Sequence, residues 1–366
     1  MARKLKTDKL LFWATLVLLG CSVVMVYSAS ADLANNRQQA PYFYLMRQLM
    51  WAVFGCLLLS AVMQVDYRLF KKSPVMWSGL IVSVVALVAV LFGPQINGTR
   101  RWFGIGSYGI QPAELAKVAV IIFTAAFLER RMDRINEPSY SLLPIGIATG
   151  VITGLILVQP DFGTAVTLVV IVGAMVFTAG ISYRYIISGV LIVAPILAAI
   201  LWIEPYRRLR LIAFLDPWSD PLGAGYQLIQ SLIAVGTGGV FGRGMMDGVQ
   251  KLGYLPEPYT DFIYAVIAEE TGLIGSTVIL LCFVVITWRG LHVTRHAPDR
   301  FGALLALGLT TMIALQAYIN ISVVLGLLPT KGIPLPFVSS GGSSLLISLL
   351  GMGMLLNISQ YASAET

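Results

Sequence analysis

The sequence predicts an all-α, polytopic integral membrane protein with about ten transmembrane helices. Three observations support this fold class. First, 57% of the 366 residues are hydrophobic and only 12% are charged, which leaves too few polar side chains to cover a soluble protein of this length. Second, apolar runs of about 20 residues, the length that crosses a hydrocarbon layer roughly 30 Å thick, recur along the chain. Third, basic residues concentrate in alternate connecting segments, as the positive-inside rule requires of a membrane protein.

The predicted spans have ends that are accurate to a few residues. They cover residues 10–30, 44–63, 75–92, 112–128, 142–158, 162–180, 185–202, 262–288, 301–327 and 336–358. The first run follows a basic tail and resembles a signal peptide, but its length favours a retained helix. A single integral domain, residues 1–366, is the simplest organisation.

One connection, residues 203–261, is much longer than the others and is predicted to lie outside the cell membrane. Long loops are usually functional or disordered, and the aromatic and apolar residues of this one argue against disorder. Its apolar piece, residues 228–241, is expected to lie in the membrane interface or to re-enter the membrane.

The distribution of Lys and Arg predicts the orientation of the helices. With the N terminus in the cytoplasm, the inner segments contain most of the basic residues. The short outer segments contain only Arg37, Arg47, Arg100, Arg101 and Lys331. Both termini are therefore predicted to be cytoplasmic. The same rule, together with anionic lipid, explains the net charge of +7 without nucleic-acid binding.

Charged residues collect at the outer ends of the predicted helices. A charge at the centre of a span costs roughly 2.5–3.5 kcal/mol, so each one suggests a function. Five chain segments contribute, with Arg100 and Arg101, Glu114 and Lys117, Asp161, Asp261, and Lys331. We expect them to line one polar cavity open to the outside, because non-helical backbone at this depth needs protein or water around it.

Most members of this set also have a structural interpretation. The alternatives are an intramembrane salt bridge for Glu114 and Lys117, headgroup anchors for Arg100 and Arg101, and helix caps for Asp161 and Asp261. Glu269 and Glu270, further along the eighth span, are interpreted as a structural pairing rather than as chemical groups. No metal site is predicted from the cysteines, because Cys21, Cys56 and Cys282 lie far apart in separate apolar runs.

A set of motifs covering nearly the whole chain resembles the SEDS family (shape, elongation, division and sporulation). The motifs are MVYSAS at 25–30, RW at 101–102, QPAELAK at 111–117, QPDFGT at 159–164, GYQ at 225–227, LPEPYTDF at 255–262, LPTKG at 328–332 and GGSS at 341–344. MVYSAS and the TKG of residues 330–332 are more similar to the division members than to the elongation members. The family often has His-Thr-Asp where this chain has Tyr259-Thr260-Asp261, so no role for that imidazole is expected here.

The resemblance implies a peptidoglycan glycosyltransferase that joins lipid II units into glycan strands and releases undecaprenyl pyrophosphate. It implies a multi-pass protein of the cytoplasmic (inner) membrane at the division septum. It also implies a class B penicillin-binding protein as transpeptidase partner and contact with other divisome membrane proteins. Such a reaction needs a base for the attacking hydroxyl and cations for the departing pyrophosphate.

Asp261 is the predicted catalytic base, because a carboxylate at a desolvated cavity mouth can have its pKa raised toward neutral pH. The predicted substrate-binding residues are Arg101, Glu114, Lys117, Asp161, Glu257, Lys331 and Ser343, with Arg207, Arg208 and Arg210 as weaker candidates. A divalent cation held by Glu257 and Asp161 is left open.

Other functions fit part of the same pattern. A charged outer cavity also suits a flippase or transporter of the same lipid-linked precursor, although transport needs access from both faces. The inner side has no comparable set of embedded charges. A noncatalytic scaffold would leave the cavity charges without a purpose, and an elongation paralogue would have the same polymerase activity.

Overall fold

The computed structural model describes residues 7–36, 38–96, 98–105 and 108–362, and it confirms the predicted all-α class. The helices are α1 (Lys9–Asn36), α2 (Phe43–Gln64), α3 (Ser73–Val90), α4 (Pro112–Arg131), α5 (Leu142–Val158), α6 (Phe162–Thr178), α7 (Tyr183–Ile203), α8 (Pro205–Leu215), α9 (Tyr226–Gly238), α10 (Ile263–His296), α11 (Arg300–Val324) and α12 (Gly342–Ser359). Two short strands, β1 (Phe103–Ile105) and β2 (Tyr108–Ile110), pair antiparallel before α4.

Every predicted span corresponds to one of these helices. Among the described residues, seven helices are long and apolar enough to cross a membrane. The helices α5 and α6 are apolar but have 17 residues each, a length of about 26 Å that lies at the short end of the spanning range. Helix α4 contains Glu114 and Lys117. The count of about ten spans therefore stays a prediction.

The structure differs from the sequence prediction at several helix ends and in the long connection. Helix α1 extends to Asn36 and α10 to His296, beyond the predicted ends at 30 and 288. The last helix begins at Gly342 rather than at 336, because Phe337 adopts a left-handed φ of 65° that a right-handed helix cannot contain. The long connection between α7 and α10 contains α8 and α9, which the hydropathy pattern did not define as separate helices. Helix α9 overlaps the apolar piece predicted at 228–241.

Helices α4, α11 and α12 form the centre of the bundle, because most of their residues are buried. Helix α4 packs against α3 and α11, α12 packs against α2, and α10 packs against α1, α9 and α11. By contrast, α7 has no buried residue and contains Pro195 in its interior. An apolar helix with this exposure faces lipid.

Helix α10 is interrupted at Gly272, which has a φ of 67°. A Cβ atom there would lie 2.3 Å from the backbone nitrogen of Gly242, so only glycine fits. The segment 239–244 fills the break: Leu273 N donates to Gly239 O at 2.9 Å and Arg243 N donates to Glu269 O at 3.0 Å. The backbone groups freed by the break are therefore satisfied, as a membrane interior demands.

Candidate active site

A cavity of about 750 Å³ lies where the connections before α4, α6, α10 and α12 meet at one end of the bundle. Its charged lining consists of four basic and four acidic side chains: Arg101, Arg207, Arg210, Lys331, Asp161, Glu204, Glu257 and Asp261. A second cavity of about 220 Å³ adjoins it, and Glu257 and Asp261 line both. The volume is that of a typical small-molecule site.

Asp161 both caps a helix and lines the cavity. Its Oδ1 accepts a hydrogen bond from Thr164 N at 3.1 Å, and its Oδ2 accepts from Thr164 Oγ1 at 2.9 Å. Gln111 Nε2, from the start of α4, donates to the same Oδ2 at 3.0 Å. The predicted N-cap of α6 is therefore present, and the carboxylate of Asp161 also joins α4 to α6 at the cavity wall.

Arg101 holds the corner that precedes Asp161. Its Nε donates to Gln159 O at 2.6 Å, and a terminal nitrogen donates to Pro160 O at 2.8 Å. These charge-assisted bonds fix the backbone between α5 and α6. Arg101 also lines the cavity, which favours a role at this site over that of a headgroup anchor.

Asp261 lies in a loop that is tied to the connection between α11 and α12. Asn320 Nδ2 on α11 donates to both Asp261 O at 2.7 Å and Ile333 O at 2.8 Å. Ser339 Oγ donates to Thr260 O at 2.7 Å. The backbone around Asp261 is therefore fixed from two sides, which is what a reacting group requires.

The carboxyl group of Asp261 is half-buried and packs closely on Gly332, since a Cβ at position 332 would lie 2.9 Å from Asp261 Oδ2. Burial raises the pKa of Asp261 to about 7, and the neighbouring charges of Glu257 and Asp161 act in the same direction. The positive charge of Arg210 opposes this rise in pKa. A carboxyl group with a pKa near 7 can accept a proton at neutral pH.

Three cations lie together on another part of the wall. Lys331 Nζ is 5.1 Å and the Arg207 guanidinium carbon is 5.6 Å from the ring centroid of Phe162. A terminal nitrogen of Arg210 donates to Thr330 O at 3.3 Å. Burial lowers the pKa of Lys331, whereas the charge of Asp161 opposes this change. Clustered, partly desolvated cations favour binding of a multiply charged anion such as a diphosphate.

The predicted pair Glu114 and Lys117 is present but does not line the cavity. Glu114 Oε1 and Lys117 Nζ are 2.8 Å apart, and the residues are 3% and 0% exposed. Gln111, the residue immediately before α4, lines the cavity instead. This corrects the expectation that all five charged segments form the wall. The central position of α4 covers the pair on every side.

Ser343 is also displaced from the expected role. It is buried, and its Oγ accepts a hydrogen bond from Gln111 N at 3.2 Å, while the next residue, Ser344, lines the cavity. Successive residues of a helix point in different directions, so Ser344 rather than Ser343 reaches the cavity in this turn of α12, and substrate binding by Ser343 stays a prediction.

Sequence reasoning missed three residues and ranked two others too low. The missed residues are Glu204 and Gln111, which line the cavity, and Asn320, which holds Asp261. Asn320 could have been found, because a polar side chain inside an apolar span is itself a signal. Arg207 and Arg210 line the cavity, whereas the exposed Arg208 does not. Among the described residues, no group of three or more His, Cys, Asp and Glu side chains is arranged to hold a metal ion.

These features define a polytopic helical membrane protein with a charged cavity at one end of its bundle. The chain belongs to the FtsW/RodA/SpoVE family, whose profile, described as "Cell cycle protein", matches residues 9–364. The family resemblance of the motifs is thereby confirmed.

Named relatives match almost the whole chain. The chain is 42% identical to the probable peptidoglycan glycosyltransferase FtsW of Geobacter sp. (strain M18), with 96% of each chain covered. It is also 42% identical to stage V sporulation protein E of Bacillus subtilis (strain 168), with 98% and 99% covered.

Solved structures share the fold. A chain of the structure described as "Structural coordination of polymerization and crosslinking by a peptidoglycan synthase complex" matches with a TM-score of 0.80 and 30% identity, covering 97% of this chain and 98% of that one. The crystal structure of the rod shape determining protein RodA of Thermus thermophilus matches with a TM-score of 0.70 and 27% identity, covering 97% of each chain.

Proposed function

We propose that this chain is a peptidoglycan glycosyltransferase that polymerises lipid II into glycan strands. The observation that carries the proposal is the position of Asp261, a carboxyl group whose pKa is raised to about 7, in one cavity with the Arg207, Arg210 and Lys331 cluster. A base and a diphosphate-binding site are the two groups that transfer from a sugar pyrophosphate requires.

In the proposed reaction, a sugar hydroxyl of one substrate attacks the anomeric carbon of another. A new carbon–oxygen bond forms at that carbon as its bond to the pyrophosphate oxygen breaks. Asp261 accepts the hydroxyl proton, and Lys331, Arg207 and Arg210 balance the charge that develops on the departing polyprenyl pyrophosphate. Stabilising charge where it develops is typically the largest contribution of such a site.

The remaining wall residues are assigned to binding and support. Glu257 and Asp161 would accept hydrogen bonds from sugar hydroxyls, and Arg101 would keep the Asp161 corner in place. The polyprenyl tails would leave the cavity on the lipid side, next to the exposed helix α7. Glu114, Lys117 and Ser343 would support the wall from behind rather than contact the substrate.

The names of the relatives support a role in the cell wall. The chain is a multi-pass membrane protein, and its family points to the inner membrane. Similarity to FtsW proteins supports work at the division septum, with other division proteins nearby. Similarity to a chain of a peptidoglycan synthase complex supports a class B penicillin-binding protein as the crosslinking partner.

The test is polymerisation of labelled lipid II by the purified protein, with and without such a partner. We expect glycan ladders from the unchanged protein and none from Asp261→Asn, while the exposed Asp133→Asn serves as a control that keeps activity. Normal ladders from Asp261→Asn would remove this residue from the chemistry. Movement of lipid II across vesicle membranes without any ladders would instead support a flippase.

A further inference from the structure

A buried ion pair lies outside the cavity, on α10 and the loop that precedes it. Lys251 Nζ and Glu270 Oε1 are 2.6 Å apart, and their side chains are 4% and 0% exposed. Neither residue lines the cavity. Burying two opposite charges is costly and adds little net stability, so the position of this pair needs another explanation.

The hydrogen-bonding capacity of Lys251 is fully used. Its Nζ donates to Glu270 Oε1, to Ser28 Oγ at 3.0 Å and to Met246 O at 2.8 Å. A lysine ammonium has three N–H donors, so none is left for a substrate. The Ser28 hydroxyl in turn donates to Glu270 at 2.6 Å, which adds α1 to the group. Lys251 therefore holds protein segments together.

The carboxylates also bind the backbone of the loop. Glu270 Oε2 accepts from Met246 N at 3.2 Å, and Glu269 Oε1 accepts from Val249 N at 2.9 Å. Glu269 Oε2 accepts from Gln250 N at 3.2 Å. The segment 246–251 is thus attached to α10 through its own N–H groups as well as through Lys251.

This attachment closes a loop that contains the candidate base. Lys251 and Glu270 are 19 positions apart, and Asp261 lies between them, two residues before α10 begins. Leu255 N donates to Gln250 O at 2.8 Å, which continues the ordered path toward Asp261. Closing a chain segment removes conformational freedom from everything inside it.

We propose that Lys251 and Glu270 are positioning residues that hold the segment 252–261, and with it the Asp261 carboxyl group, in place for catalysis. We call the Ser28, Lys251 and Glu270 group the latch. The kinetic part of this proposal rests on the proposed glycosyltransferase function. The structural part, that the latch orders the segment, does not depend on the reaction.

The kinetic test uses the double variant Lys251→Met/Glu270→Gln, because either single change would leave an unpaired buried charge and risk misfolding. We expect the double variant to fold, with kcat lowered roughly tenfold and KM for lipid II changed by less than about twofold, since mispositioning affects the transition state more than binding. Lys251→Arg, which keeps the charge, should retain more activity.

The matched control is Lys71→Met/Glu129→Gln, which removes an ion pair of 2.9 Å at the opposite end of the bundle. A double variant with unchanged kcat would overturn the proposal.

A second measurement needs no substrate. Spin labels at Tyr254→Cys and Leu327→Cys, both exposed positions, report the distance between the latched segment and the connection after α11, in a background without the native cysteines. We expect a narrow distance distribution that broadens when Lys251→Met/Glu270→Gln is added. An unchanged distribution would show that the segment is ordered without the latch. If the unchanged protein made no glycan, the proposed function would fail, and this measurement would still test the latch.

Discussion

Asp261 has charged neighbours of both signs, and their opposing effects make its proton affinity adjustable. Glu257 and Asp161 add to the rise in its pKa caused by burial, and Arg210 counteracts it. With a pKa of about 7, the carboxyl group is mostly protonated below neutral pH. Since a general base must be ionised, kcat/KM should fall as the pH drops through this value.

Two substitutions should move this limb of the pH profile in opposite directions. Glu257→Gln removes a negative charge, which lowers the pKa of Asp261 and moves the limb to lower pH. Arg210→Gln removes a positive charge, which raises that pKa and moves the limb to higher pH. The measurement is kcat/KM against pH for both variants. Because the midpoint is compared and not the amplitude, loss of a substrate contact does not interfere. Shifts of the same sign would show that Asp261 is not the titrating group.

At the scale of elements, α8 presents its three arginines differently. Arg207 and Arg210 are three positions apart, share one helix face and line the cavity. Arg208 is exposed and points elsewhere, with its guanidinium carbon 6.0 Å from the Trp202 ring centroid. The same helix therefore contains two cavity cations and one internal control of identical chemistry.

We predict that Arg207→Gln and Arg210→Gln each lower kcat/KM for lipid II at least roughly tenfold, because a charge-assisted hydrogen bond contributes about 1.5–3 kcal/mol. Arg208→Gln should change kcat/KM by less than about twofold, since a solvated surface charge contributes little. Initial rates of polymerisation measured against lipid II concentration decide the matter. Equal effects of all three variants would mean that activity depends only on the net charge of α8 and not on which arginines line the cavity.

The elements themselves were predictable where apolarity decided them. Each apolar run forms a helix, and Pro112 begins α4 at the predicted residue. Hydropathy could not predict the break of α10 at Gly272, which depends on contact with the separate segment around Gly242. It also could not predict that α12 begins only at Gly342, because Ser339, whose Oγ accepts a hydrogen bond from Leu335 N, also donates to Thr260 O in a segment distant in sequence.

At the scale of the whole molecule, the depth of a residue in the membrane is enough to locate some members of the site but not all of them. Arg101, Asp161, Asp261 and Lys331 were grouped because their loops lie at one end of the helices, and they do line one cavity. Glu114 and Lys117 lie near the same depth but inside α4, which is enclosed by α3, α6 and α11. Depth follows from the sequence, whereas the side of a central helix that reaches the cavity follows from packing.

The orientation of the bundle in the membrane is predicted from its charges and can be tested directly. Ser219 lies in the connection that contains α8 and α9, and Ser139 lies between α4 and α5 at the opposite end; both are exposed. The excess of Lys and Arg places the second connection in the cytoplasm and the cavity outside. In a background without Cys21, Cys56 and Cys282, a membrane-impermeant thiol reagent should label Ser219→Cys on intact spheroplasts. It should label Ser139→Cys only after the membrane is opened, and the reverse pattern would place the cavity, and therefore the proposed polymerisation, on the cytoplasmic side.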